Sequence, residues 1–233
     1  MNPKRTILDA EPRTLAEGLR VDQPTFHELY QASRPGVRAE LIDGVVHTPS
    51  PVGSEHGRAH FHVIAWLSAY VENTPGVEGL DHASTILGPR SELEPDALLR
   101  VLPEYGGRSR DQDGYVHDAP ELIVEISQST RYIDLGPKLD VHEHAGVLEY
   151  VARSFEPDRI HWFLSRDGRF VERRLDPDGF FHSLVFPGLW LDPQALFEGD
   201  VKRLRAAVDL GCSTREHADF VAALAAARKA PNN

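Results

Sequence analysis

Cysteine is nearly absent. The single Cys212 excludes an internal disulfide and any multi-thiolate zinc or iron–sulfur centre. Long apolar runs are missing, and nothing approaches the ~20 residues that span a bilayer, so no membrane insertion is expected. The N-terminal MNPKRTILDAEPRTLAEGLR has basic residues but no apolar stretch behind them, which does not read as a secretory signal. A cytoplasmic location is the resulting expectation. A basic excess is lacking as well, since the formal net charge is −11. Chains that hold nucleic acid mainly through phosphate contacts usually carry a positive excess. Such a role here would need the basic residues gathered on one face and the carboxylates elsewhere; a magnesium site would itself draw on acidic ligands. The sequence also has no Walker loop, no G-x-G-x-x-G, no G-x-S-x-G elbow and no internal repeat.

What is present fits a soluble globular fold. The 233 residues, 41% of them hydrophobic, can bury a sizeable core and suit one domain better than two. Residues 1–22 are polar and lack periodicity, which reads as a mobile tail. Pro24 suits the first turn of a helix over 24–32. The run AELIDGVVH reads as a hairpin turning at Asp43-Gly44, and the apolar spacing of Val63, Ile64, Leu67 and Val71 predicts a helix from Ser54 to Asn73. Three candidate strands follow: VEGLDHASTIL, DALLRVL and ELIVEIS. The last is nearly continuous in apolar residues, as in a strand covered on both faces. The polar PEYGGRSRDQDGYVHDAP between the second and third reads as a surface loop. GPKLDVHEHAGV predicts a helix with Pro137 in its first turn and Gly146 past its end. LEYVA, RIHWFLS, RFVERRL and FHSLVF predict further strands, with a turn at Asp167-Gly168. The C-terminal part is helical, opening a last helix with Ser213 and Glu216 at capping-box spacing. The whole predicts a mixed α/β domain around a single central sheet.

Three residues stand out chemically. Glu125 lies inside ELIVEIS, and an ionised carboxylate in an apolar layer costs several kcal/mol unless a metal ion, a basic partner or a cleft compensates it. The alternative is that it marks the solvated end of the strand. Asp96 follows Pro95 and leads an apolar run, a place from which an acid can project into a cleft, although Pro-Asp also marks ordinary turns. Lys138 is one of only four lysines (with Lys4, Lys202 and Lys229). It sits in the first turn of its helix, where the macrodipole favours acids, so nearby carboxylates would explain it; a solvated surface lysine would too.

These residues carry a resemblance. ELIDG, then PDALL, then ELIVEISQST followed by Asp134, Lys138 and AGVLEY resembles the bacterial Uma-two family of the PD-(D/E)XK nuclease superfamily, over roughly residues 25–200. The resemblance implies a restriction-endonuclease-like core, with a central mixed sheet flanked by helices, over residues 23–200; the helical pattern of residues 201–233 is expected as a C-terminal extension beyond it. It implies that Glu40, Asp96 and Glu125 converge on a divalent metal with Lys138 nearby. The superfamily's simplest pattern would put lysine where this chain has Ser127; the family takes it from the following helix, as Lys138 does. His142 stands where tyrosine is common in the family, and Val151 where tryptophan is.

Two further signals compete. His56 and His60 are spaced to share a zinc ion on a helix, but the glutamate of the metalloprotease signature is missing between them. Arg34, Arg38, Arg58, Arg90, Arg108, Arg110 and Arg131 lie near the candidate site in sequence and could form a phosphate-facing rim. The expected function is a magnesium-dependent endonuclease acting on DNA, with manganese as a substitute metal. The alternative is a non-catalytic scaffold of the same fold acting through protein partners. A homodimer would bring two sites to two strands, though nothing in the residues requires one.

Overall fold

The computed structural model describes residues 14–128 and 130–228. Asp22 opens α1 (Gln23–Gln31) by accepting the Thr25 N–H, with Pro24 in the first turn. The strands β1 (Glu40–Ile42) and β2 (Val45–His47) reverse at Asp43-Gly44, where φ is 45° and 78°. Both angles are positive, as a tight hairpin turn needs. The helix α2 (Ser54–Asn73) buries Ala59, Val63, Trp66, Leu67 and Tyr70 along one stripe and stops before Pro75-Gly76. Then come β3 (Val77–Asp81), β4 (Thr85–Ile86), β5 (Glu92–Leu93) and β6 (Ala97–Val101). The hairpin β7 (Arg110–Gln112) and β8 (Tyr115–His117) precedes β9 (Leu122–Ser127). Two short helices follow, α3 (Arg131–Asp134) and α4 (Pro137–Ala145). The chain continues through β10 (Glu149–Ser154), β11 (Arg159–Arg166), β12 (Arg169–Arg173), β13 (Phe181–His182) and β14 (Trp190–Leu191). It closes with α5 (Pro193–Glu198), α6 (Val201–Cys212) and α7 (Arg215–Ala227).

The strands form two six-stranded sheets, ordered β2-β1-β5-β4-β8-β7 and β12-β11-β10-β9-β6-β3, with β13-β14 as a separate ribbon. Both large sheets are mixed: β9 runs parallel to β10 and β4 parallel to β8. In β9, side chains alternate between two buried layers. Leu122, Val124 and Ile126 enter the main core with α2, α6 and α7. Ile123 joins Leu98 and Tyr150 in a second layer, closed by Ile42 and Leu93 of the other sheet and by α4. Burial on both faces explains the unbroken apolar run of ELIVEIS.

The mixed α/β class and the helix-flanked mixed sheet are as expected, but the sheet is not single. The second sheet is built from strands two or three residues long. Two of them lie in the segment expected as a surface loop. Asp113 and Gly114 turn them with φ of 54° and 87°, the conformation also seen at Asp43-Gly44. The loop expectation failed because β7 is exposed along its whole length, leaving no apolar alternation to read. Of the expected tail, residues 1–13 lie outside the described residues. Leu15, Leu19 and Val21 pack against Phe26, Leu41 and Val46, which places residues up to 22 on the domain. The C-terminal helices deliver Leu204, Val208 and Leu224 to the main core. The capping expectation shifts by one residue: Thr214 caps α7 by accepting the His217 N–H, whereas Ser213 ends α6 and donates to the Leu210 carbonyl. The strand expected over FHSLVF is confined to Phe181 and His182. No helix among the described residues is long and apolar enough to cross a membrane.

Candidate active site

The chain crosses from one large sheet to the other at Glu94-Pro95-Asp96, between β5 and β6. Pro95 needs no ladder hydrogen bond there and keeps Glu94 extended. The register of β6 on β9 pairs Ala97 with Val124, so its continuation brings Asp96 opposite Glu125. Glu40 enters from the start of β1, and Lys138 from the first turn of α4. A cleft of about 460 Å³ opens over these four residues.

The contacts are direct. Lys138 Nζ donates to Glu125 Oε1 at 3.1 Å, lies 3.0 Å from Glu40 Oε2 and stands 3.8 Å from Asp134 Oδ1. Glu40 Oε1 accepts the Glu94 N–H at 2.8 Å, and Asp96 Oδ2 accepts the Ile126 N–H at 2.7 Å. Asp96 Oδ1 faces His56 Nε2 at 3.4 Å. All four residues predicted for the site are buried and share the cleft.

Electrostatics follow from this crowding. Burial opposes ionisation of Asp96, but His56, the Ile126 N–H and the Lys138 charge together hold its pKa below the ordinary carboxylate value. Glu125 goes the other way: burial, with Asp134, Asp96 and Glu40 close by, raises its pKa well above normal despite Lys138. Burial would strip the proton from Lys138, but Glu125, Glu40 and Asp134 more than reverse that, and the ammonium stays charged. Both directions are consistent because four carboxylates face one lysine.

Asp134 is the site residue that the sequence reading left without a role. It precedes Lys138 by four residues, a spacing that brings helical side chains together, but Gly136 separates α3 from α4. Thr130 Oγ1 donates to its carboxylate at 2.6 Å and Tyr150 Oη to its carbonyl at 2.9 Å. Burial also raises the Asp134 pKa. His142 lies one turn beyond Lys138 on α4, fully buried and not lining the cleft. Neither ring nitrogen has a hydrogen-bond partner among the described residues, and burial with the Lys138 charge pushes its pKa down to about 3. Val151 is a core residue.

The histidine pair on α2 does not close on a shared point. His56 turns to Asp96, whereas His60 Nε2 meets Asp81 Oδ1 at 3.0 Å and the Asp96 carbonyl at 2.8 Å. Of the seven arginines considered for a rim, Arg38 lines the cleft, and it is engaged by Glu94 at 2.8 Å. Arg90 pairs with Asp43, Arg110 with Asp118, and Arg108 donates to the Gly146 carbonyl.

A mixed sheet flanked by helices, with a buried lysine drawn in among carboxylates from separate segments, defines a restriction-endonuclease-like α/β protein. The family model Uma2, described as "Putative restriction endonuclease", matches residues 23–194, and the chain belongs to that family. Among solved structures the chain is similar to one from Anabaena variabilis described as "a putative nuclease belonging to DUF820". That similarity has a TM-score of 0.57 at 15% identity and covers 74% of this chain and 96% of the other, which speaks for the fold. No curated protein matches.

Proposed function

We propose that this chain is a metal-dependent phosphodiesterase acting on DNA, with Asp96, Glu125 and Glu40 as ligands for magnesium and Lys138 at the reacting phosphate. The convergence of three acids from separate segments on one cleft, with Glu40 and Glu125 against the Lys138 ammonium, carries this reading. The donor set fits the ion. Magnesium takes hard oxygens, keeps several waters and is satisfied by a few carboxylates, with manganese as a substitute. Burial, and then the neighbouring carboxylates Asp134, Asp96 and Glu40, raise the proton affinity of Glu125, and a dication would offset both. A cleft this acidic repels a phosphodiester unless a cation occupies it. A bound dication supplies Lewis acidity and an acidified water.

The protein's own groups then have distinct tasks. His56 and the Ile126 N–H fix the Asp96 carboxylate, and the Glu94 N–H fixes that of Glu40. Lys138, held charged in a buried setting, can orient the attacking water or donate to a phosphate oxygen as charge develops.

Calorimetry with Mg2+ tests the ligand set: Asp96→Ala and Glu125→Ala should each abolish binding. Cleavage of supercoiled and single-stranded DNA with Mg2+ or Mn2+ should be lost in Lys138→Met. Undiminished Mg2+ binding by both alanine variants would remove the assignment. A chain that neither binds Mg2+ nor cuts DNA would favour a scaffold acting through protein partners, in keeping with its net charge of −11.

A further inference from the structure

We propose that His60, Asp81 and His82 form a second cation site, for a zinc-like d-block dication, at the rim of the same cleft. Among the described residues this is the trio of histidine, cysteine and acidic side chains whose ligand atoms all lie within 4.8 Å of one another. Asp81 Oδ1 lies 3.0 Å from His60 Nε2 and 3.9 Å from His82 Nε2, and the two imidazole centroids are 4.7 Å apart. Ligand atoms around a tetrahedral zinc ion sit roughly 3.3 Å from one another, so these three need only small shifts to enclose one.

The residues come from separate places: α2, the last position of β3 and the turn after it. His82 holds a φ of 46° there, a left-handed conformation uncommon for a side-chain-bearing residue, and it turns the imidazole back toward His60. Its other nitrogen, Nδ1, is buried without a hydrogen-bond partner among the described residues and stands 3.7 Å from Glu94 Oε1, so a small shift would let that carboxylate support the ring as one does behind a metal-ligating histidine. The side chain of Asp81 is 57% exposed, which leaves an open side for water or a ligand oxygen.

Two imidazoles and one carboxylate select differently from the all-oxygen centre beside them: nitrogen donors suit zinc, cobalt and nickel rather than magnesium. Metal binding needs an unprotonated His60 Nε2, which would release its hydrogen bond to the Asp96 carbonyl. Occupancy would therefore be felt next to the acidic centre. The competing zinc signal of the His56–His60 pair is thus redirected: His60 supplies a ligand, with partners from outside the helix.

Titration of the untagged chain with Zn2+, and with Co2+ followed by visible absorption, tests this in excess Mg2+. The wild type should take up one equivalent. His82→Asn, which tolerates the positive φ, and the exposed Asp81→Asn should each weaken uptake at least about tenfold. Glu125→Gln should leave it unchanged, which separates this site from the proposed magnesium centre. Absence of uptake by the wild type, or equal uptake by His82→Asn and Asp81→Asn, would overturn the proposal.

Discussion

Replacing Lys138 with methionine keeps the side chain's bulk and removes only the ammonium from among Glu40, Glu125 and Asp134. The three separations, 3.0, 3.1 and 3.8 Å, each correspond to roughly 4–6 kcal/mol of attraction at an effective dielectric constant of about 20, before desolvation. Most of this is offset by the cost of burying the charges. Removing one partner of a buried ion pair still costs about 3–5 kcal/mol, because the others are left uncompensated. For a chain of this size each kcal/mol lowers the melting temperature by about 2–4 °C, so Lys138→Met should melt about 6–20 °C below the wild type at pH 8. The sign of its pH dependence is fixed. Glu125 and Asp134 already hold protons more tightly than free carboxylates, and losing the neighbouring ammonium strengthens that hold. The folded variant then binds more protons than its unfolded chain, so its deficit should shrink as pH falls from 8 to 5. Millimolar Mg2+ at pH 8 should recover part of the loss if the carboxylates accept a dication. Calorimetric melts at the two pH values, with and without Mg2+, give the answer. A deficit below about 1 kcal/mol would mean that the ammonium does not compensate these acids.

Three further outcomes can be checked. His142 has a folded-state pKa near 3, so between pH 6.5 and 3 the unfolded chain binds the extra proton and the fold weakens on acidification. Urea unfolding of His142→Leu should show a ΔG-against-pH slope up to ~1.4 kcal/mol per unit shallower than that of the wild type, and parallel curves would contradict this. Thr214→Ala should cost about 1 kcal/mol through the lost cap of α7, and Ser213→Ala clearly less; the reverse order would restore Ser213 as the cap. A short DNA duplex should bind at least about tenfold more weakly with chelator than with Mg2+ by fluorescence anisotropy, because phosphate must approach Glu40, Asp96 and Glu125. Binding that ignores the chelator would place the DNA elsewhere.

Local physics made much of this protein legible from its residues. The stripe on α2 fixed its ends at Ser54 and Asn73, because a 3.6-residue period and the following Pro75-Gly76 are properties of the chain itself. The buried strand of Glu125 was readable for the same reason, since only a two-sided core tolerates LIVEI. Acids and a scarce lysine in family order point to Glu40, Asp96, Glu125 and Lys138 from the residues alone. Other features depended on contacts between distant segments. The second sheet has strands too short and too polar to announce themselves, and it forms because pairing across the fold satisfies their backbone groups. Asp134 acquires its place from the bend between α3 and α4, and Asp96 gains His56 from another element. The trio of His60, Asp81 and His82 has no sequence period at all, because its members meet only when α2 lies against the end of β3. Spacing along the chain determines which faces are buried; which charges then neutralise one another is decided by three-dimensional distance, on which the Coulomb energy depends.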